Sequence, residues 1–163
     1  MWKMYRAGEN DVNATEPELT SSLHKSLFCP RLKGRDKISV ITELVDELAR
    51  HGLLGDRNGV LESVLAREAD MSTGMQLGIA LPHGKHASVP GLVSAIGVCP
   101  DGVAFDSLDG LPSRIFVMTV SPPQTVGPHL RFLAAVGKLL GRAEIRAAVL
   151  AATDKAALLQ ALA

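Results

Sequence analysis

The sequence has little of three things that mark common functional classes: excess charge of one sign, cysteine and long apolar runs. Its 163 residues carry 17 Lys and Arg against 17 Asp and Glu, so it lacks the basic surplus that binds a nucleic-acid backbone. The longest stretches without a charged residue or His, 87–100 and 115–128, are short and contain proline, so neither can cross a bilayer as a helix. We therefore expect neither nucleic-acid binding nor membrane insertion.

Cysteine is scarce as well. The two cysteines, Cys29 and Cys99, lie far apart and form no CxxC motif. This pattern predicts neither a zinc site nor a disulfide framework, and we interpret both as small core residues. Residues 1–12 carry both signs of charge with no apolar run behind them, unlike a secretory signal. The sequence therefore favours a cytoplasmic protein.

The chain divides into an N-terminal tail, residues 1–25, and one domain, residues 26–163. The tail is polar and shows neither a helical nor a strand period, which predicts a weakly structured segment. It holds the single Trp and the single Tyr, Trp2 and Tyr5. The domain is long enough to bury a core without disulfide or metal support.

Helical periods lie at both ends of the domain and short apolar runs lie between them. The predicted helices are 36–51, 56–69, a segment from 130 to 140 closed by Gly141, one through 145–150, and a last one capped by Asp154. The predicted strands are 78–81, 93–99 and 114–120, with turns at the Asp-Gly pairs 101–102 and 109–110. This order predicts an α/β fold with a single mixed β-sheet flanked by helices on both faces, a three-layer sandwich.

One segment, residues 71–85, carries the residues most suited to chemistry. A polar loop leads into the predicted strand 78–81, which delivers Pro82 and then His83. Pro82 disfavours strand pairing and Gly84 allows a sharp turn, so we expect His83 at a strand end rather than within the ladder. A neutral imidazole there is a nucleophile near pH 7. The alternative is a histidine that only hydrogen-bonds a neighbouring carbonyl.

This segment resembles the signature of the enzyme IIA components of the bacterial phosphoenolpyruvate-dependent phosphotransferase system, in the fructose/mannitol and nitrogen-regulatory class. In that class a Ser-Thr-Gly loop is followed by Gly-Ile-Ala-(Leu/Ile)-Pro-His-Gly. The matching residues here are Ser72, Thr73 and Gly74, then Gly78, Ile79, Ala80, Leu81, Pro82, His83 and Gly84. Further matches are Arg67-Glu68, Phe105-Asp106 with Asp109-Gly110, and His129-Leu130. The resemblance covers about residues 27–162 and implies the enzyme IIA fold.

The resemblance also implies a function and a set of roles. His83 would accept a phosphoryl group from an HPr-type phosphocarrier and pass it to a downstream acceptor or a regulated target protein, with no metal or nucleotide cofactor. Arg67, Thr73 and His129 would stabilise the phosphoryl oxygens during transfer. Ser72 and Gly84 would complete the phosphate-binding loop. Without the resemblance, Arg67 and His129 would be interpreted as a solvated charge and a helix-start residue.

Two features depart from this pattern or compete with it. Gln76 stands where the class has the second Gly of a Gly-x-Gly loop, so a positive φ at that position would require a different loop here. His86 follows His83 at a His-x-x-His spacing, which in other contexts binds metal. No Cys or carboxylate cluster surrounds the pair in the sequence, so we expect no metal site.

The sequence leaves the biological role open between several readings. We favour a regulatory role like that of the nitrogen-regulatory members. The alternatives are a fructose/mannitol-type sugar uptake relay and a binding module that is no longer phosphorylated, and a His/Arg hydrolase is disfavoured because no Ser or Cys nucleophile motif is present. Met75 and Leu77 are expected to form an exposed apolar rim near His83 for a weakly bound partner, with Lys85 adding a positive charge.

Overall fold

The computed structural model describes residues 16–163, so the predictions made for residues 1–15, including those on Trp2 and Tyr5, lie outside the described residues. The helices of this range are α1 (Glu16–Lys25), α2 (Lys37–Arg50), α3 (Arg57–Asp70), α4 (Gly127–Leu140), α5 (Ala143–Ala151) and α6 (Lys155–Ala161). The strands are β1 (Leu27–Cys29), β2 (Ile79–Ala80), β3 (His83–Lys85), β4 (Val93–Val103) and β5 (Ser113–Ser121).

The strands form one mixed sheet centred on β4 and β5. These two long strands pair antiparallel, while β1 pairs parallel with β4. The two short strands β2 and β3 both pair parallel with β5, one after the other along its edge. The order across the sheet is therefore β1, β4, β5, and then β2 and β3 together.

Helices cover both faces of the sheet, as the sequence predicted. Helices α2 and α3 bury one core against residues such as Phe116 and Met118 of β5. Helices α1, α4, α5 and α6 bury a second core against Ile115 and Val117 of the same strand. This alternation along β5 follows from the period of two in a strand, and it places Thr119 and Ser121 on the α4 face.

No helix among residues 16–163 is long and apolar enough to cross a bilayer.

Helix starts follow the sequence signals closely. Asp36 caps α2, where its side chain accepts from the amide of Ser39 at 2.8 Å. The Ser39 hydroxyl in turn accepts from the Asp36 backbone amide, which completes a capping box. Asp56 and Asp154 cap α3 and α6 by accepting from the amides of Gly59 and Ala157, without the second bond of a capping box. Cys99 is buried as expected, and burial raises the pKa of the half-buried Cys29 thiol to about 11.

Two predictions about local structure are wrong. Residues 16–25 form helix α1 instead of a loose tail, because Leu19 and Leu23 reach the core on the α4 face and pack there. The Asp101-Gly102 pair does not end β4, because the strand continues to Val103 through an irregular register. Gly102 lies in this irregular stretch with φ of 78°, a left-handed conformation that glycine adopts readily.

Thr119, near the end of β5, has a buried hydroxyl without a partner among the described residues. Its side chain is fully buried, and its neighbours across the strands are His83 and Ser94. An unsatisfied buried hydroxyl destabilises a fold, so we expect Thr119→Val to raise the free energy of unfolding by about 1 kcal/mol. Urea denaturation measures the change.

The matched control is Ser94→Ala on the neighbouring strand. Ser94 is also buried, but its hydroxyl shares a hydrogen bond with that of Ser26. Its loss should therefore lower the free energy of unfolding by about 1 kcal/mol. If Thr119→Val destabilises as much as Ser94→Ala, the Thr119 hydroxyl has a favourable interaction in solution and the argument is wrong.

Candidate active site

His83 begins a short strand of its own. Strand β2 ends at Ala80, Leu81 and Pro82 interrupt it, and pairing with β5 resumes at His83, which lies opposite Thr119. The Pro82 carbonyl still accepts from the Thr119 amide at 3.1 Å. His83 is therefore at the end of a strand, as predicted, but it is half-buried and lies within the ladder, which the sequence did not predict.

The sequence suggested a sharp turn at Gly84, but Gly84 instead continues β3. A Cβ at this position would lie 2.9 Å from Cγ2 of Val64 and 3.0 Å from Oγ of Ser63, both in α3. The glycine is therefore needed because α3 lies directly against β3. The Ser63 hydroxyl confirms the close approach by donating to the Lys85 carbonyl at 2.7 Å.

The ring of His83 is oriented by its own chain. Its Nδ1 lies 2.8 Å from the carbonyl oxygen of Leu81. A carbonyl only accepts hydrogen bonds, so Nδ1 carries the ring proton in the neutral imidazole. The Nε2 atom is therefore left with its lone pair, the form required of a nucleophile.

His129, in the first turn of α4, is brought against His83 although 46 residues separate them in the sequence. The two rings meet edge to face, with centroids 5.3 Å apart and planes at 64°. His129 is buried, its Nδ1 lies 2.5 Å from Oγ of Ser121, and its Nε2 has no partner among the described residues. Burial, followed by the charges of His83 and Lys85, lowers the pKa of His129 to about 4, so its ring is neutral at pH 7.

Two cations act on the same site. Burial is the largest cause that lowers the pKa of His83, and the positive charges of Arg67 and Lys85 lower it further. The Leu81 hydrogen bond and the negative charge of Glu68 act in the opposite direction. Arg67, in the last turn of α3, is held by a bond from Nη1 to the Met71 carbonyl at 2.9 Å. The site therefore keeps a neutral imidazole within the field of positive charge.

The hydroxyls of Thr73 and Ser72 are engaged elsewhere, contrary to the role that the resemblance implied. The Thr73 hydroxyl donates to Oε2 of Glu68 at 2.5 Å, and its amide donates to the same carboxylate at 3.0 Å. The Ser72 hydroxyl donates to the Phe105 carbonyl at 2.6 Å. Both side chains fix the loop, and neither offers its hydrogen to a phosphoryl group in this arrangement.

Glu68 is the residue of this site whose structural importance the sequence analysis missed. Its side chain is only 3% exposed, and its Oε1 lies 3.0 Å from Nζ of Lys37 in α2. The same ammonium lies 2.8 Å from Oδ2 of Asp106, whose side chain is 84% exposed. The signal in the sequence was a Glu in the last turn of a helix on the core-facing side, where a solvated charge is not expected.

Met75, Gln76 and Leu77 form a loop at the far end of β2 from His83. Ile79 pairs with Ile115 and His83 with Thr119, four residues along β5, or roughly 13 Å at the usual strand rise. Leu77 is exposed as predicted, but Met75 packs against the core on the α4 face. The expected apolar rim therefore does not border His83.

Gln76 is compatible with this loop because it does not need the left-handed conformation. The positive φ values fall on Leu77, at 65°, and on Gly78, at 73°. The amide of Leu77 donates to Oδ2 of Asp109 at 3.0 Å, which holds the loop in that conformation. Hydrogen bonds from the amides of Leu111 and Leu77 in turn lower the pKa of the Asp109 carboxyl.

His86 lies outside the site. Its Nδ1 bonds to the Ser88 hydroxyl at 2.8 Å, and its Nε2 lies 3.7 Å from Oδ2 of Asp56. In the part of the chain that the structure describes, no three His, Cys, Asp or Glu side chains are grouped as metal ligands.

Comparison with protein families matches residues 21–163 to the family described as phosphoenolpyruvate-dependent sugar phosphotransferase system, EIIA 2. A fructose-specific EIIABC component of Bacillus subtilis is 37% identical over 142 residues, which cover 87% of this chain and 22% of that protein. A fructose-specific EIIA component of Haloferax volcanii is 30% identical over 73% of this chain and 77% of its own length. This chain thus spans about a fifth of the first relative and most of the second.

Nitrogen-regulatory proteins are similar in both sequence and structure. The nitrogen regulatory protein of Pseudomonas aeruginosa is 31% identical over 127 residues, 78% of this chain and 82% of that protein. The crystal structure of the nitrogen regulatory protein IIA-Ntr from Neisseria meningitidis superposes with a TM-score of 0.78 at 25% identity, over 89% of this chain and 99% of that one.

The two carboxylates that bind Lys37 provide a test of the buried network. Removing the Glu68 charge leaves Lys37 and the Thr73 loop without their buried partner, so Glu68→Gln should lower the free energy of unfolding by about 2 kcal/mol. Asp106→Asn, its exposed counterpart, should change it by less than about 0.5 kcal/mol. Urea denaturation of both variants measures this contrast, and equal effects would contradict the central place given to Glu68.

Proposed function

This chain belongs to the EIIA type-2 family of the phosphoenolpyruvate-dependent sugar phosphotransferase system, and we propose that Nε2 of its His83 accepts a phosphoryl group from an HPr-type phosphocarrier. The observation that carries the proposal is the bond from Nδ1 of His83 to the Leu81 carbonyl. It assigns the ring proton to Nδ1 and leaves Nε2 free to attack. The proposal places the chain in the cytoplasm, as a phosphotransferase component with a phosphohistidine intermediate.

The transfer needs no acid or base from this chain. The Nε2 lone pair forms a bond to phosphorus while the bond from phosphorus to the donor's imidazole nitrogen breaks, and the donor nitrogen takes back the electron pair. His83 keeps its Nδ1 proton and gains positive charge on the ring. The Leu81 carbonyl, 2.8 Å from Nδ1, stabilises that charge. The reverse step, to a downstream acceptor, uses the same geometry.

The surroundings of His83 suit a phosphoryl group better than a proton. Arg67 and Lys85 both lower the pKa of the imidazole through their charge, and both attract the dianionic phosphoryl oxygens. His129 adds a buried ring nitrogen without a partner among residues 16–163. Arg67, Lys85 and His129 are therefore the proposed stabilising groups, in place of Ser72 and Thr73.

We assign the relay a regulatory role, in which the phosphorylation state of His83 is sensed by a target protein. The likeness to nitrogen-regulatory proteins in sequence and in fold supports this role. The second candidate is a relay in fructose uptake, which the 37% identity to a fructose-specific component favours. Rapid transfer from phosphorylated His83 to a fructose EIIB domain would select the second candidate.

Phosphorylation itself is tested with phosphoenolpyruvate, enzyme I and an HPr-type phosphocarrier. The chain should gain one phosphoryl group by intact mass, acid-labile and base-stable, and NMR should locate it on Nε2. His83→Ala should fold and gain none, because the nucleophile is gone. His86→Ala is the control, since His86 bonds to Ser88 outside the site, and it should be labelled normally. A label on His86 or His129 would contradict the assignment, and no label at all would favour a non-phosphorylated binding module.

The rate of phosphorylation should depend on pH in a direction set by burial. A protonated imidazole has no lone pair on Nε2, and burial together with Arg67 and Lys85 lowers the pKa of His83. The rate from a preloaded carrier should therefore stay high down to a midpoint below about pH 6.5, the usual value for histidine. Lys85→Gln should move that midpoint upward, because one of the charges opposing protonation is removed. A midpoint at or above pH 6.5 in the unmodified chain would refute this account.

A further inference from the structure

Ser121 and His129 form a buried pair beside the acceptor histidine. Ser121 ends β5 and is fully buried, and His129 in α4 is 2% exposed. The Ser121 Oγ lies 2.5 Å from Nδ1 of His129. Among residues 16–163 this is the one hydrogen bond of the Ser121 hydroxyl, and Nε2 of His129 has none.

The direction of this hydrogen bond follows from counting unsatisfied groups. If Nδ1 carried the ring proton and donated to Ser121, the hydroxyl hydrogen would lack an acceptor and the Nε2 lone pair would lack a donor. If Ser121 donates to Nδ1, the hydroxyl hydrogen is satisfied and only the Nε2 hydrogen lacks a partner. Each buried unsatisfied group costs free energy, so the arrangement with one such group is favoured over the arrangement with two.

The favoured arrangement leaves a hydrogen-bond donor without an acceptor next to His83. The two imidazole rings lie with centroids 5.3 Å apart, so a phosphoryl group on His83 brings acceptor oxygens into the surroundings of His129. The donor is unsatisfied before the reaction and satisfied during it. An interaction gained only as the phosphoryl group arrives speeds transfer, whereas one already made in the free protein does not.

We propose that Ser121 is a positioning residue that fixes the tautomer of His129, with the hydrogen on Nε2, so that this nitrogen donates to the phosphoryl group of His83. The role as a phosphoryl ligand rests on the proposed function, but the tautomer does not. The two histidines then have opposite tautomers, because His83 faces a carbonyl that can only accept and His129 faces a hydroxyl that can donate.

The tautomer is measured on the unphosphorylated protein by long-range proton–nitrogen NMR correlations of the imidazole rings. We expect His129 with a protonated Nε2 and a bare Nδ1, and His83 with the reverse. Ser121→Ala should remove the preference at His129 and slow phosphorylation of His83 by about tenfold or more. Ser121→Thr, which keeps the hydroxyl, should restore both the nitrogen signature and the rate.

Ser94→Ala is the matched control, because it removes another buried serine hydroxyl from the same face of the sheet without touching either histidine. It should leave both tautomers and the rate unchanged. A protonated Nδ1 on His129 in the unmodified protein overturns the proposal, as does Ser121→Ala with tautomer and rate unchanged. If Ser121→Ala fails to fold, the His129 tautomer in the unmodified protein and in Ser121→Thr still tests the proposal. Absence of phosphorylation with the predicted tautomer would refute the proposed function alone.

Discussion

The site depends on one buried carboxylate, that of Glu68. It accepts the amide and the hydroxyl of Thr73, and Lys37 of α2 balances its charge at 3.0 Å. The Thr73 carbonyl then accepts the Leu81 amide at 3.1 Å, and the Leu81 carbonyl accepts Nδ1 of His83. A continuous chain of hydrogen bonds thus runs from the ion pair to the reactive imidazole. These bonds fix the Thr73 loop and the Leu81 backbone in place, so Glu68 positions the ring of His83 without touching it.

This chain of contacts explains why the loop residues of the motif are needed even though they do not face a ligand. The Thr73 hydroxyl is occupied by Glu68, and the Ser72 hydroxyl by the Phe105 carbonyl. Gly84 is needed because α3 packs against β3 at that point. Thr73 holds the Leu81 amide, Ser72 anchors the loop to Phe105, and Gly84 lets β3 lie against α3, so all three help to fix the position of His83 beside β5. In the proposed transfer, the groups that contact the phosphoryl oxygens must therefore come from elsewhere.

The sequence could predict those parts that depend on neighbouring residues. The apolar period and the cap at Asp36 predict helix α2, and an uninterrupted local motif identifies His83 as the candidate acceptor. Contacts between segments that are distant in the sequence could not be predicted. Helix α1 has no clear period because only Leu19 and Leu23 need to reach the core. Ser121 looks like an ordinary end of a strand, and its contact with His129 arises only because α4 returns to the end of β5.

The placement of charge around the two histidines has a consistent physical logic. In the free protein both rings are neutral, because burial and the cations Arg67 and Lys85 oppose protonation of His83, and burial and Lys85 oppose that of His129. Two cations beside neutral rings gain little electrostatic stabilisation from them. The unpartnered Nε2 of His129 destabilises the free protein further. In the proposed function, a phosphoryl dianion on His83 would supply negative charge to the cations and an acceptor to that nitrogen. The features that disfavour a proton on His83 therefore favour a phosphoryl group there, which is the property required of a carrier that must hold the group and release it to another protein.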